Sequence, residues 1–484
     1  MTLRSLMKAT LALFAALICF PILGQAQEKG RPNIILIFTD DQGYGDVGCY
    51  GAKGYETPNM DRMAKEGIRF TSFYTGCPVC SGSRAALLTA CYYQRVSVRP
   101  VFFPPARNGL NPNEITIAEI LKEIGYTTGM IGKWHLGHLP PFLPTAQGFD
   151  SYYGIPYSND MWLDKETAQF AKDCVFLKGM TEEKARTEKR TRNWVPLMRG
   201  TKVVEYPADQ STLTKRYTEE AMKFIEKNKK KPFFLYMPHT MPHVPMFVSK
   251  KFQNKTKSLY GNVIEELDWS VGEVLKTVKK CGIDKKTLVI FTTDNGTHRG
   301  SSGPLRGRKA GPYEGGVRVP CIMRWPGRIE PGTKTNETAA TIDILPTIAK
   351  ITGAKVPQDR TIDGKDISPL VFGEPGAKTP HEYYILLHRD GCVRSGKWKY
   401  YPWPEGGKKK NKKGKKGKKG KKPAPVKRPK VQLYDLSTDL SETKNVAEQH
   451  PQVVRRLHAA FVAHRMDIRK NKRPAGTVNL KKKQ

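Results

Sequence analysis

The stretch Cys77-Pro-Val-Cys80-Ser-Gly82-Ser-Arg84-Ala-Ala-Leu-Leu-Thr-Ala90 sets a cysteine and an arginine one helical turn apart at the head of an apolar run. The run predicts a helix that begins at Cys80. Unpaired N–H groups and the macrodipole at such an N-terminus favour anions, and Arg84 adds a fixed positive fork. Taken alone, the stretch equally fits a buried structural cysteine ahead of a core helix, because cysteine is often just a small hydrophobe. Cys77 and Cys80 also have the Cys-x-x-Cys spacing of a redox motif.

Other blocks add oxygen donors and cations. Residues 33–39 are a continuous β-branched run ending in Asp40-Asp41, and residues 288–293 are a second strand ending in Asp294-Asn295. Buried parallel strands read this way, and ligands in α/β sheets gather at strand C-termini. Asp40-Asp41 alone would be a turn pair. A second acid–amide pair after another strand points to a hard cation, Ca2+ or Mg2+ rather than zinc. Lys133 and His135 lie two apart, so an extended segment would turn them to the same side. Two histidines, His239 and His243, follow the predicted strand at 232–237. His138 and His298 are weaker candidates for substrate contact, and Asp46 reads as a support for the acidic pair.

Five blocks taken in order are similar to the type I (formylglycine-dependent) sulfatase family, in its arylsulfatase-like branch. They are Ile37-Phe-Thr-Asp40-Asp41-Gln-Gly-Tyr-Gly-Asp46; Cys80 to Arg84; Gly132-Lys133-Trp-His135-Leu-Gly137; Thr293-Asp294-Asn295-Gly296; and Leu305-Arg-Gly-Arg-Lys309 followed by Tyr313-Glu-Gly-Gly-Val-Arg-Val-Pro320. The resemblance runs from about residue 31 to about residue 446. One position departs from it: the family's usual core is Cys-x-Pro-x-Arg, and here the middle residue is Gly82.

The resemblance implies an alkaline-phosphatase-like α/β fold and a sulfuric ester hydrolase. It implies oxidation of Cys80 to Cα-formylglycine by a formylglycine-generating enzyme. One hydroxyl of the hydrated aldehyde would attack sulfur and the other would later expel sulfate, a release that a plain thiolate cannot achieve. It matches Asp40, Asp41, Asp294 and Asn295 to the ligands of a Ca2+, with Mg2+ as the second choice. Arg84 would hold the formylglycine and balance carboxylate charge. Lys133 would contact the diol or the sulfate, and His135 would be the base for sulfate release. Lys309 would bind a sulfate oxygen. The leaving-group acid is usually a His followed by x-Pro, which matches His243, with His239 as the fallback.

The chain is long enough for one large domain and a smaller one. Residues 1–26 read as a signal peptide: Arg4 and Lys8 precede an apolar run at 9–23, and small residues follow. Without it no apolar run is long enough to span a membrane, so a periplasmic or secreted protein is expected. Of nine cysteines, Cys19 leaves with that leader, and seven besides Cys80 are scattered without metal-type pairing. The strand–helix alternation predicts a mostly parallel sheet flanked by helices over residues 27–375. Short alternating stretches in 376–484 predict a smaller antiparallel-sheet subdomain, and residues 160–205 read as an irregular surface insertion. Much of the formal charge of +37 sits in 408–430, a Lys/Gly/Pro tract with no acid. Such a tract cannot bury apolar area and would bind polyanions loosely. A sulfated carbohydrate is the preferred substrate class, and no specific nucleic acid is expected for an exported chain. Two rival readings stay open: a phosphodiesterase or phosphonate monoester hydrolase on the same fold, and a non-catalytic sulfated-glycan-binding protein.

Overall fold

The computed structural model describes residues 30–389, 391–402 and 431–479. The leader at 1–26 and the lysine-rich tract at 408–430 lie outside them. The main sheet has twelve strands. Its centre is parallel, with Thr287–Thr293, Asn33–Thr39, Phe233–Pro238, Thr127–Ile131 and Ser151–Gly154 side by side. Three of these, Asn33–Thr39, Phe233–Pro238 and Thr287–Thr293, are buried throughout, as their unbroken apolar and β-branched runs require.

Side-chain alternation along Asn33–Thr39 divides the core into two layers. Ile34, Leu36 and Phe38 pack with residues of Cys80–Thr89, Ile117–Glu123 and Ile344–Thr352. Ile35 and Ile37 pack with residues of Pro58–Lys65, Leu213–Asn228 and Leu259–Lys280 on the opposite face. The helix starts follow local chemistry: Thr116 and Glu119 close a reciprocal capping box ahead of Ile117–Glu123, with bonds of 3.3 and 2.7 Å.

Register brings the strand ends level. Thr39 pairs with Thr293, and Phe38 pairs with Pro238. The segments that follow, with Asp40-Asp41, Asp294-Asn295 and His239 to His243, therefore leave the sheet together. Lys133 follows Ile131, and Ser158 follows Gly154, at the same edge.

The outer strands of the main sheet escaped the sequence reading. Arg318–Arg324 and Ile68–Tyr74 extend one side of the sheet. On the other side, the segment read as an irregular insertion instead supplies Leu197–Arg199, Lys202–Tyr206 and Phe170–Phe176. These edge strands carry polar, partly exposed residues, so their periodicity is weak.

The strands Tyr384–Leu386, Cys392–Ser395, Trp398–Tyr401 and Gln432–Asp435 form an antiparallel sheet, as expected. Helix Pro451–Lys470 covers one face through Leu457 and Phe461. The other face packs on Tyr74, Ala86 and Val317 of the larger part. A buried charge cluster sits at this junction. Glu314 accepts from Lys399 Nζ at 2.6 Å, from Tyr74 Oη at 2.7 Å and from Arg318 at 3.1 Å. Arg394 stands 3.9 Å away. Together these cations hold the Glu314 carboxyl at about 2 against the upward push of burial. No helix among the described residues is long and apolar enough to cross a membrane.

Candidate active site

Cys80 is the first residue of helix Cys80–Thr89, as its sequence predicts, and the whole helix is buried. Its first free amides have another use than the one expected. The N–H groups of Ser81 and Gly82 both donate to the carbonyl of Pro100, at 3.1 and 3.3 Å. Positive charge around Cys80 comes instead from side chains. Lys309 Nζ lies 3.4 Å from its Sγ, and Asp40 Oδ1 lies 3.7 Å away. Burial would raise the Cys80 thiol, but Lys133 and Lys309 outweigh it and bring it down to about 6.

The acids and cations alternate around this point. Arg84 donates to Asp40 at 3.2 Å, to Asp294 at 3.3 Å and to the Lys133 carbonyl at 2.8 Å. Lys133 Nζ bonds Asp40 and, at 3.2 Å, Ser158 Oγ. Lys309 Nζ reaches both oxygens of Asp41, at 2.7 and 2.8 Å. Asn295 donates to Asp41 at 2.7 Å, while Asp294 Oδ1 accepts from the Asp41 amide at 3.0 Å. Burial would raise Asp40, yet Lys133, His243 and Arg84 hold it well below the usual carboxylate range. Burial and the adjacent Asp40 push Asp294 well above that range. The Arg84 cation opposes this push.

The same donors suit a hard divalent cation. Ligand atoms of Asp40, Asp41, Cys80 and Asp294 lie within 4.8 Å of one another, all buried. Asn295 Oδ1 is buried without a hydrogen-bond partner, which leaves one neutral oxygen free for an ion. Asp46 keeps the loop in place without joining this set. It accepts from the amides of Gly43 and Ser301 and from the hydroxyls of Tyr55 and Tyr260, at 2.5 to 2.7 Å.

Three site segments hold non-glycine residues in left-handed backbone: Asp41 at φ +64°, His135 at φ +62° and Ala310, next to Lys309, at φ +66°. Such conformations persist where the surroundings over-determine them. Gly132 opens the turn to Lys133, where an added Cβ would lie 1.8 Å from the Pro238 carbonyl oxygen.

The histidines separate clearly. His135 Nε2 lies 3.0 Å from the Phe102 carbonyl, which can only accept, so Nε2 carries the proton. Its Nδ1 is then a bare, buried acceptor. Burial, Lys133 and Arg84 keep this ring neutral by pulling it well below its usual range. His243 joins the cluster, with Nε2 3.9 Å from Asp41 Oδ2. Burial and Lys133 oppose its charging, but Asp41 and Asp40 raise it overall. His239 does not join: its Nε2 faces Ser270 Oγ at 3.3 Å, and burial lowers it to about 3. His138 is taken up by Asp164 at 2.8 Å. His298 is exposed on the rim, where Asp41, Lys309 and His243 still act on it.

The sequence reading passed over Ser158 and Asn159. Ser158 Oγ stands 3.4 Å from both ring nitrogens of His243, and Asn159 Oδ1 stands 2.9 Å from Nδ1. Their one sequence signal is position, just beyond the end of a parallel strand. The eight described cysteines are all free thiols.

The chain is similar to known proteins over most of its length. A family model described as Sulfatase matches residues 32–354, and one described as N-sulphoglucosamine sulphohydrolase, C-terminal, matches residues 309–467. Arylsulfatase A of Homo sapiens is 37% identical over 447 residues, covering 88% of this chain and 86% of the relative. N-acetylgalactosamine-6-sulfatase of Canis lupus familiaris is 37% identical over 411 residues, covering 79% and 73%. The crystal structure of Ps i-CgsB in complex with k-i-k-neocarrahexaose superposes with a TM-score of 0.75 at 27% identity, covering 92% of this chain and 94% of that one. A thiol ringed by cations and crowded carboxylates at the C-terminal edge of a parallel sheet thus sits inside a match that spans most of the sequence, and the chain belongs to the sulfatase family, hydrolases of sulfuric esters.

Proposed function

We propose that the chain is an exported, calcium-dependent sulfatase acting on O-sulfate esters of a carbohydrate, with Cα-formylglycine formed from Cys80 by a formylglycine-generating enzyme. The observation that carries this reading is the position of Cys80 Sγ. It lies within 4 Å of both Lys309 Nζ and Asp40 Oδ1, among the three buried carboxylates of Asp40, Asp41 and Asp294. The carbohydrate is supported by two of the relatives, one named for a sulfated amino sugar and one solved with an oligosaccharide. Export rests on the leader-like residues 1–26, and a periplasmic or secreted location follows from it.

When bound, the hydrated aldehyde would supply the nucleophile and the cation at Asp40, Asp41, Asp294 and Asn295 would polarise the sulfate. The rest falls to this chain's side chains. Lys133 and Lys309 present their ammonium groups to sulfate oxygens, where developing negative charge is stabilised without reorganisation. Arg84 balances Asp40 and Asp294. His243 delivers a proton from Nε2 to the leaving oxygen of the sugar. His135 accepts one at Nδ1 when sulfate departs. Residues 27–375 supply all of these groups, and we assign 376–484 as the supporting subdomain.

The test is sulfate release from defined sulfated saccharides after co-expression with a formylglycine-generating enzyme. Mass analysis of the Cys80 peptide must show one oxygen in place of the sulfur and a pair of hydrogens, and elemental analysis must show calcium. An unmodified Cys80 peptide in a fully active preparation would overturn the formylglycine reading. Release of phosphate but never sulfate would overturn the substrate class.

A further inference from the structure

The proposed proton donor is held by a chain of amides that starts at the main chain. Gln210 Nε2 donates to two backbone carbonyls, those of Asn159 at 3.0 Å and Asn193 at 2.6 Å. Carbonyls only accept, so this end of the Gln210 amide is the nitrogen end, and its Oε1 turns to Asn159. Asn159 Nδ2 then donates to that Oε1 at 3.1 Å and to the Pro245 carbonyl at 2.8 Å. Its own oxygen is left for His243, 2.9 Å from Nδ1. An amide oxygen can only accept, so His243 Nδ1 must carry a proton. Asn159 and Gln210 are both almost fully buried, so water does not compete for these bonds.

We infer that Asn159 and Gln210 are positioning residues that fix His243 in its Nδ1–H tautomer, so that proton transfer occurs only at Nε2, the nitrogen on the Asp41 side. This rests on the reading of His243 as leaving-group acid. The imidazolium gives its Nε2 proton to the oxygen released as the S–O bond breaks. The electron pair of that bond stays on the oxygen, and the Nδ1–H bond to Asn159 persists. The neutral ring left behind is the tautomer that Asn159 accepts, with no rotation required. Three carbonyls, of Asn159, Asn193 and Pro245, set the orientation of this relay. One of them belongs to the segment that the sequence presents as a surface insertion.

The experiment compares wild type with Asn159→Leu, Asn159→Asp, Gln210→Leu and His243→Ala. Each is assayed on an aryl sulfate and on an alkyl or sugar sulfate, and its imidazole 15N shifts are recorded, with His243→Ala identifying the His243 signals. Asn159→Leu is expected to lower kcat on the sugar sulfate by about 10- to 100-fold, part of what a general acid contributes. KM and aryl sulfate turnover should change less than about 3-fold, since a phenolate needs little protonation. Its Nδ1 signal should lose the character of a fixed N–H. Asn159→Asp still accepts from Nδ1 but cannot donate to Gln210 Oε1 or the Pro245 carbonyl, so it should keep the fixed Nδ1–H signal and recover only part of kcat, and Gln210→Leu should fall between Asn159→Leu and wild type. Equal losses on both substrates, or an unchanged tautomer in Asn159→Leu, would overturn the relay. If His243→Ala itself shows no leaving-group dependence, the acid assignment fails, and the 15N tautomer still decides whether the relay exists. Should Asn159→Leu not fold, Gln210→Leu carries both readouts, because it leaves every direct contact to His243 in place.

Discussion

Gly82 stands where the family motif has proline, and its surroundings give a reason that can be measured. A Cβ added at Gly82 would lie 2.6 Å from Cys77 Sγ, 3.1 Å from Cys77 Cβ and 3.1 Å from Tyr93 Cγ. Favourable heavy-atom contacts begin near 3.5 Å, so the thiol would have to move by about 1 Å. It has little room to do so. Cys77 is fully buried, and Tyr93 is tied to His388 Nδ1 at 3.0 Å. Overpacking of this kind costs about 1–3 kcal/mol. Replacing a helical glycine by alanine returns up to about 1 kcal/mol. Gly82→Ala should therefore destabilise the fold by about 1 kcal/mol net. Cys77→Ala removes the atom in the closest contact and leaves a small void. Combined with Gly82→Ala, it should recover stability, with a coupling of about 1–2 kcal/mol. Equilibrium urea unfolding of the four proteins measures that coupling directly. Additivity within about 0.5 kcal/mol would refute the packing argument, because independent sites behave that way. Gly82→Pro should be worse than alanine, since it also removes the N–H that bonds Pro100.

Four further outcomes follow from the site and the fold. Cys80→Ser should abolish sulfatase turnover in a host whose maturing enzyme oxidises only cysteine, while the urea midpoint stays within the scatter of wild type. Full turnover by that variant would exclude a formylglycine route. Asp294→Ala should lose most activity and bind less calcium, because a ligand and its charge go together; calcium content unchanged by elemental analysis would remove Asp294 from the ligand set. Lys399→Met should cost about 3–5 kcal/mol in urea unfolding, the usual penalty for leaving a buried carboxylate without its partner, and a loss under about 1 kcal/mol would show that Arg318 and Arg394 suffice for Glu314. Deleting 408–430 should leave aryl sulfate turnover nearly unchanged, because Tyr401 and Gln432 are paired neighbours that a short turn can join; loss of that activity would place the tract at the site.

The parts of this molecule that were legible in the sequence share a physical cause. Strands buried on both faces must be apolar throughout, so 33–39 and 288–293 announced themselves and led directly to Asp40, Asp41, Asp294 and Asn295. Charged residues in glycine-rich turns stood out in the same way at Lys133 and Lys309. Position alone could not separate His239 from His243. The backbone turn between them sends one ring to Ser270 and the other to Asp41. Asn159 and Gln210 were invisible because a neutral amide has no charge to explain and no period to break. Their importance lies in which way an amide faces, and that is decided by carbonyls distant in sequence. The edge strands in 170–206 were hidden by their half-exposed faces. The Cys80 amides were over-read, because Pro100 approaches the helix start from a loop the local pattern does not mention.

The Glu314 cluster also sets an order of events during synthesis. Glu314 lies five residues beyond Lys309, and its amide bonds Glu442 while its carboxylate takes Lys399. A nascent chain reaches Lys399 on the order of ten seconds after Glu314 at ordinary elongation rates. Through that interval the carboxylate has Arg318 and Tyr74 but no partner from the small sheet. Glu314, close to Lys309 in sequence, therefore gains its Lys399 and Glu442 partners only after the antiparallel strands have been made. The small sheet is thus part of what anchors the loop whose Lys309 stands 3.4 Å from Cys80, although none of its own described residues reaches that thiol.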